Sequence, residues 1–243
     1  MLRIRISLPK GGEAHYHYLD ILHDALVNAW IAAGSGKEQV IGINALPWNF
    51  AALGTSHKQS KMAHTLVVST PDATLAKTLS HLNPDELIYV RTSTSEIVNF
   101  AEAKITIEDD PIIPNQNALG ILMLSPLAIS DKTSRNGKRW HKHLEQFDLS
   151  AAINHRLSRQ AGRTVKLTVQ ADSLYLRCHP DHSVLVPTKL ISNSKQVFVI
   201  GMTAPLVLMG SEEDLRFAWY AGLGEKTRNG FGCIGLVEQG IGR

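Results

Sequence analysis

Four glycines near the C-terminus constrain the fold of this chain more than any other sequence feature. They form two glycine–apolar–glycine triplets separated by five polar residues. The members in chain order are Gly222, Leu223, Gly224, the polar segment 225–229, Gly230, Phe231 and Gly232. Glycine permits positive φ angles and close approach of backbones, so this spacing predicts a tightly held loop. Lys226 and Arg228 lie in its polar segment.

Two glycine motifs that bind nucleotides do not fit this stretch. A dinucleotide fingerprint needs G-x-G-x-x-G at the start of a helix, whereas these triplets follow a predicted helix over residues 211–220. A P-loop needs Gly-Lys-Ser/Thr, and Glu225 interrupts that order. A loop with exposed amides and two cations fits a phosphate backbone. A glycine-rich β-turn without a ligand stays open as the alternative.

The order of elements predicts an α+β fold with two ferredoxin-like βαββαβ units in tandem. In the first half we predict strands over 2–8, 40–46, 64–69, 87–92 and 102–107, and helices over 16–33 and from 71. In the second half we predict strands over 119–124, 164–170, 174–178, 196–203 and 233–237, and helices over 134–146, 150–160 and 211–220. The predicted domains are therefore 1–110 and 118–243, joined by a linker over 111–117, and the second domain carries an inserted basic helix.

Composition limits the possible partners. The net charge of 243 residues is only +3, so any surface for nucleic acid must be local. Cys178 and Cys233 are isolated, and no zinc-type spacing occurs, so neither a metal nor another cofactor is predicted. No apolar run approaches the roughly 20 residues that a membrane span needs. We expect a cytoplasmic protein that does not bind membranes.

The predicted helix over 134–146 carries a cationic stripe. Its members are Arg135, Lys138, Arg139 and Lys142, spaced i, i+3, i+4 and i+7 on one helical face. Arg156 and Arg159 continue the basic character downstream. Such a stripe can contact a phosphate backbone, although a solvated helix face has the same pattern.

Histidine suits both proton transfers of metal-free RNA cleavage, because its pKa lies near neutrality. His23 lies on the apolar stripe of the first predicted helix, which also fits a partly buried structural histidine. The other N-terminal candidates are His15, His17, His57 and His64.

The glycine triplets resemble the signature loop of the RAMP superfamily, and more narrowly that of the CRISPR repeat-processing endoribonucleases. Residues 22–27, Leu-His-Asp-Ala-Leu-Val, are similar to the first helix of type I-F members. The resemblance implies that His23 is catalytic and that the basic helix holds the stem of the repeat hairpin. Other branches place the histidine after this helix, which keeps His57 as the substitute. The serine that type I-F members use has no clear match, only Thr168 or Ser173.

The resemblance implies a function in CRISPR RNA maturation. The chain would bind the repeat hairpin of the precursor transcript and cleave it without metal by attack of a 2′-OH. The product would carry a 2′,3′-cyclic phosphate, and the protein would stay bound among other CRISPR effector subunits. Two alternatives remain: a RAMP subunit that binds RNA without cutting it, and a small-molecule enzyme whose glycine loop binds a phosphate.

Overall fold

The computed structural model describes residues 1–55, 61–92, 94–132, 139–191 and 195–239. Its strands are β1 Leu2–Ser7, β2 Ala14–Tyr16, β3 Asn49–Leu53, β4 Lys61–Ala63, β5 Thr65–Thr70, β6 Ile88–Arg91, β7 Glu96–Asn99, β8 Lys104–Ile107, β9 Ala118–Met123, β10 Leu167–Ala171, β11 Ser183–Ile191, β12 Lys195–Met202, β13 Leu206–Gly210 and β14 Ile234–Leu236. Its helices are α1 Leu19–Ala32, α2 Lys37–Val40, α3 Ala73–Leu79, α4 Leu149–Ala161, α5 Ser173–Cys178 and α6 Glu212–Ala221. Within these ranges no helix has the length and apolar character of a membrane span.

Two antiparallel sheets repeat one strand order. The first is β3-β5-β1-β8 and the second is β10-β13-β9-β14. When the four strands of each sheet are numbered in chain order, their order across the sheet is 2-3-1-4 in both sheets. This is the ferredoxin-like arrangement. The predicted fold class is therefore confirmed, while the domain boundaries stay predictions. Hairpins β6–β7 and β11–β12 are additions to the two sheets.

The two halves pack against each other through the first sheet. All six residues of β5 are buried, because both faces of this strand are covered. Leu66 and Val68 contribute to the first core, whereas Val67 contacts a separate small cluster that contains Cys233. The side-chain amide of Asn49 donates to the Tyr220 carbonyl oxygen at 2.8 Å, which ties β3 to α6.

Arg3 is the charged residue at the centre of this contact. Its side chain is 1% exposed and lies 4.2 Å from the ring centroid of Trp219. Its Nε bonds Glu108 at 2.6 Å, and its Nη2 donates to the Ile234 carbonyl oxygen at 2.6 Å. Arg5 bonds the other oxygen of Glu108 at 2.8 Å. A buried charge needs such partners, so Arg3 depends on both halves of the chain.

Two strand predictions are wrong. In the segment predicted as a strand over 40–46, Val40 is the last residue of α2 and the following residues form no strand. The second strand of the first sheet, in chain order, is β3. The segment predicted as a strand over 174–178 lies in helix α5. The Asp172 carboxylate accepts from the backbone N–H groups of Leu174 at 2.8 Å and Tyr175 at 2.9 Å. This N-cap stabilises the helical turn against the strand propensity of its apolar residues.

The basic helix predicted over 134–146 is absent from the described part of that range. Residues 139–143 are not helical, and 144–146 form a 3-10 turn. The N–H of Asp131 donates to the Arg139 carbonyl oxygen at 2.8 Å, and that of His141 donates to the Ile129 carbonyl oxygen at 3.0 Å. Trp140 packs against the first core. Backbone pairing and tertiary packing therefore outweigh the helical spacing of the basic residues.

Candidate nucleic-acid interface

The glycine-rich loop, residues 222–232, joins the two cores. Leu223 is buried in the second core and Phe231 in the first. The N–H of Leu223 donates to the Gly232 carbonyl oxygen at 2.8 Å, so the two triplets pair with each other. The N–H of Gly232 donates to the Pro126 carbonyl oxygen at 2.9 Å. The loop is therefore held by backbone bonds at its ends, and its polar segment forms the turn between them.

Two positions in this loop require glycine, because each has a positive φ angle and no space for a Cβ atom. At Gly224, φ is +74°, and a Cβ atom would lie 2.7 Å from the Ala128 carbonyl oxygen. At Gly232, φ is +69°, and a Cβ atom would collide with the Leu223 carbonyl group. Side chains other than glycine are disfavoured at such angles, and these contacts leave no space for one.

A basic cleft of about 850 Å³ lies beside the polar segment of the loop. Its walls are that segment, helix α4, and the paired segments 129–132 and 139–148. The cations that line it are Lys132, Arg139, Arg156, Arg159, Lys226 and Arg228, and the carboxylates are Asp131, Asp148 and Glu225. This excess of cations gives the cleft a positive local charge on a chain whose net charge is close to zero.

The cleft brings together most of the residues predicted to bind RNA. Those that line it are Arg139, Arg156, Arg159, Lys226 and Arg228. Lys142 is exposed but does not line it. Arg135 and Lys138 lie outside the described residues. RNA binding by each of these side chains stays a prediction, but their convergence on one cleft was not visible in the sequence.

Helix α4 supplies one wall of the basic cleft because its two faces differ. Leu149, Ile153 and Leu157, spaced by four residues, are buried in the second core. Arg156 and Arg159 lie on the other side, toward the cleft. The Asp148 carboxylate accepts from the Ala151 N–H at 2.8 Å, which caps the helix at its start.

Two histidines of the basic cleft were missed by the sequence analysis. His155 is exposed and lines the cleft from α4. His141 lines it from the extended segment and stacks on Phe147 with ring centroids 4.2 Å apart. The position of His155 next to Arg156 was a usable signal. His141 could not have been found, because the sequence predicted a helix at that position.

Burial and mutual repulsion disfavour the charged form of two guanidinium groups in the cleft. Burial lowers the pKa of Arg156, and the charge of Arg159 lowers it further, while Glu225 opposes these effects. Burial also lowers the pKa of Arg228, and the charge of Arg156 adds to this. Both groups remain protonated near neutral pH, so a bound anion would relieve their repulsion.

His23 lies in a different environment. The residue is 9% exposed, and its ring stacks on Trp48 with ring centroids 5.7 Å apart and planes 21° from parallel. Its Nδ1 lies 3.1 Å from Oδ1 of Asp24. The other ring nitrogen has no hydrogen-bond partner among the described residues. His23, the predicted catalytic residue, is therefore fixed in position on α1.

A charged cluster fixes Asp24 in turn. Nη1 of Arg91 bonds Asp20 at 2.6 Å, and its Nη2 bonds Asp24 at 3.1 Å. Burial acts to raise the pKa of the Asp24 carboxyl, but the hydrogen bond from His23 and the charges of His23 and Arg91 outweigh it, so the pKa is lowered. Asp24 is therefore ionised near neutral pH and can accept a hydrogen bond from Nδ1–H of His23.

A smaller cavity of about 260 Å³ lies between the glycine-rich loop and α1. Arg139, Lys226 and Asn229 line both cavities. The smaller one reaches α1 at Leu19 and Asp20, and Asp20 precedes His23 by three residues on that helix. His23 itself lines neither cavity.

Among the described residues, Thr168 and Ser173 line neither cavity. His57 lies outside the described residues. Thr168 lies on β10, at one edge of the second sheet, and Ser173 begins α5; both are exposed. Within the described ranges, no group of three or more His, Cys, Asp or Glu residues is arranged to hold a metal ion.

The chain has two ferredoxin-like sheets joined by a glycine-rich loop, with a basic cleft beside that loop, which is the architecture that its resemblance to RAMP proteins implied. The family model for the C-terminal part of CRISPR-associated protein Cas6 matches residues 108–236, more than half of the chain. The chain therefore belongs to the Cas6 family. A search of the curated proteins finds no match.

Similar solved structures cover nearly the whole chain. One comes from a Cas6-related gene of Pyrococcus furiosus, with 15% identity and a TM-score of 0.71, covering 98% of this chain and 99% of that one. A RAMP protein described as binding different RNA substrates has 17% identity and a TM-score of 0.62, covering 98% and 100%. A Cas6 product complex has 14% identity and a TM-score of 0.58, covering 97% and 98%. At these identities the likeness shows the fold.

Proposed function

We propose that this chain matures CRISPR RNA: it binds the repeat hairpin of the precursor transcript and cleaves it. The observation that carries this proposal is the convergence of five predicted RNA-binding cations on one cleft beside the glycine-rich loop. Membership of the Cas6 family supports it. One structural neighbour is described as a product complex and another as binding different RNA substrates, which agrees with an RNA ligand.

The basic cleft supplies affinity through charge. Cations that neutralise phosphates release bound counterions, so RNA affinity should fall steeply as salt rises. Arg156 and Arg159 approach the strand from α4, and Lys226 and Arg228 approach it from the loop. Contacts of this kind fix the position of the RNA, whereas recognition of its sequence needs contacts with the bases.

His23 supplies the proton transfer. Asp24 accepts from Nδ1–H, which leaves Nε2 as the basic nitrogen. Nε2 takes the proton of the 2′-OH, the 2′-oxygen attacks phosphorus, and the bond to the 5′-oxygen breaks. The products are a 2′,3′-cyclic phosphate and a 5′-OH, whose proton comes from an acid such as protonated histidine. Lys226 and Arg228 stabilise the charge on the phosphate oxygens.

A second candidate function is RNA binding without cleavage. The observation that favours it is the placement of His23, which is 9% exposed and lines neither of the two cavities described above. Such a subunit would use the same basic cleft to hold RNA for other CRISPR effector proteins. Both candidates predict RNA binding, and they differ only in the chemical step.

The deciding experiment uses the repeat hairpin and a matched hairpin with a 2′-deoxynucleotide at the cleavage site. We expect the protein to bind both RNAs and to cut only the first, in EDTA, leaving a 2′,3′-cyclic phosphate. Equal binding with no cleavage of either RNA would favour the second candidate. No RNA binding, together with salt-resistant binding of a sugar phosphate, would favour a small-molecule enzyme. Gel filtration of the cleaved mixture tests whether product stays bound.

A further inference from the structure

The hydroxyl of Thr227 is buried in the wall of the basic cleft without a partner. The residue is 1% exposed, and its Oγ1 has no hydrogen bond within the part of the chain that the structure describes. The same residue lines the cleft between Lys226 and Arg228. A buried hydroxyl without a partner destabilises a folded chain, so such a group calls for an explanation at a candidate site.

Arg156, on helix α4, also has a buried donor without a hydrogen-bond partner among the described residues, its Nε. Neither Arg156 nor Arg228 forms an ion pair with another described residue. Burial and the charge of Arg156 lower the pKa of Arg228, and both side chains line one cavity.

The carboxylate of Glu225 does not fully neutralise the charges of Arg156 and Arg228. Glu225 attracts Arg156, but its Oε1 already accepts from the Ser130 N–H at 3.2 Å and from the Ser130 hydroxyl at 2.5 Å. Arg228 donates from Nη2 to the Gly42 carbonyl oxygen at 3.0 Å, which fixes its position and leaves further donors free for a ligand.

We propose that Thr227, Arg156 and Arg228 form a subsite for one phosphate group. The hydroxyl and the two guanidinium groups would donate to its oxygens, which satisfies the two orphan donors and neutralises the repulsion. The ligand is a phosphate group carried by an RNA strand or by a free phosphate ester. Its assignment to the RNA backbone rests on the proposed function, whereas the subsite itself rests on the three side chains.

The first test uses inorganic phosphate as the probe, because it needs no RNA. Melting temperature is measured in phosphate and in chloride at equal ionic strength for the wild type, Thr227→Val and Arg156→Met. The control is Thr227→Ser, which keeps a hydroxyl. A ligand that binds only the folded state raises its melting temperature. We expect phosphate to raise that of the wild type and Thr227→Ser, and to lose this effect in the other two variants.

The second test uses the repeat hairpin. We expect Thr227→Val and Arg156→Met to bind it about tenfold more weakly, the usual effect of losing a hydrogen bond to a charged group. Without ligand, both variants should melt at or above the wild-type temperature, because each change removes an unsatisfied or repelled group. Weaker binding with unchanged or higher stability is a result that a purely structural role would not give.

Different outcomes separate this proposal from the proposed function. A phosphate effect that persists in Thr227→Val and Arg156→Met would overturn the subsite, even if the wild type binds and cuts RNA. Unchanged RNA affinity in both variants would overturn its assignment to the RNA backbone. If the wild type does not bind the hairpin, but phosphate stabilises it and the two variants lose that effect, the subsite stands for a free phosphate ester and the proposed function fails.

Discussion

Helices α1 and α4 occupy equivalent places in the two ferredoxin-like units, yet the chain uses them in opposite ways. Most of α1 is buried, including Trp30, and its His23 is held between Trp48 and Asp24. By contrast, α4 buries only one narrow stripe and directs Arg156 and Arg159 toward the basic cleft. The first helix can fix one side chain in position, whereas the second can offer charge to a large ligand.

This difference suggests a division of work between two copies of one fold. Proton transfer needs a single nitrogen at a fixed position, and a packed helix provides that. Phosphate binding needs several cations that can adapt to a strand, and a partly exposed helix beside a loop provides those. If the division holds, changes on α1 should affect cleavage more than binding, and changes around α4 should affect binding more than cleavage.

The largest effect is expected at His23. His23→Ala should slow cleavage of the repeat hairpin by about 10²–10⁴-fold, the usual contribution of one general acid or base, with RNA affinity within a few-fold of wild type. The measurement is a single-turnover rate beside a binding curve. His155→Ala is the matched control, because this exposed histidine lines the basic cleft, and it should cut at nearly the wild-type rate.

His23 also packs on Trp48, so its replacement can affect folding. If melting temperature, affinity and rate fall together in His23→Ala, the histidine is structural. His23→Gln fills more of the space and separates the two roles. A variant that folds, binds and cuts normally would exclude His23, and His57→Ala would be tested next.

The glycine-rich loop should respond to shape more than to charge. Gly224→Val should reduce the free energy of unfolding by at least about 1–3 kcal/mol, because φ is +74° and the new side chain would meet Ala128. Lys226→Ala removes an exposed charge and should leave stability within about 0.5 kcal/mol. Thermal or urea unfolding compares the two variants. Equal stabilities would show that the loop is not strained.

A smaller effect on RNA affinity should distinguish Arg139 from Lys142, which the sequence predicted to lie on one helical face. Arg139→Ala should reduce the slope of log RNA affinity against log salt by roughly 0.7–0.9, because Arg139 lines the basic cleft. Lys142→Ala should leave the slope unchanged, since Lys142 does not line that cleft. Equal reductions would mean that the RNA also contacts Lys142, outside the basic cleft.

The last comparison concerns the ion pair between the halves. Burial acts to raise the pKa of Glu108, but the charges of Arg3 and Arg5 and their hydrogen bonds outweigh it, so the pKa is lowered. A lowered carboxyl pKa contributes stability above the unfolded value of about 4.3, and this contribution is lost as pH falls through the folded value.

Glu108→Gln should therefore lower the melting temperature at pH 7, and its difference from wild type should shrink as the pH falls below about 4. Glu102→Gln is the control, because Glu102 is exposed and forms no ion pair within the described ranges. A difference that stays constant down to pH 3 would mean that Glu108 is not stabilised as an anion.

The sequence predicted the elements whose signal is local. The alternating residues of β1 and the apolar spacing of α1 indicated their structures correctly, and the helices predicted over 150–160 and 211–220 are α4 and α6. Prediction from the sequence was less reliable for segments whose secondary structure depends on tertiary contacts. An N-cap at Asp172 makes α5 helical, and β-bridge bonds with 129–131 keep 139–141 extended. The basic spacing at Arg139 and Lys142 fitted a helix but did not require one.

By itself, the sequence determined that the four glycines form a constrained loop, because their spacing and their need for positive φ are properties of the chain. It also indicated Arg156 and Arg159 as candidate RNA-binding residues, since they continue the basic character of the preceding segment. Only the tertiary structure decided that these cations meet Lys226, Arg228 and Arg139 in one cleft, and that Thr227 is left there without a partner. Such juxtapositions join residues nearly 90 positions apart, and no local period encodes a distance of that kind.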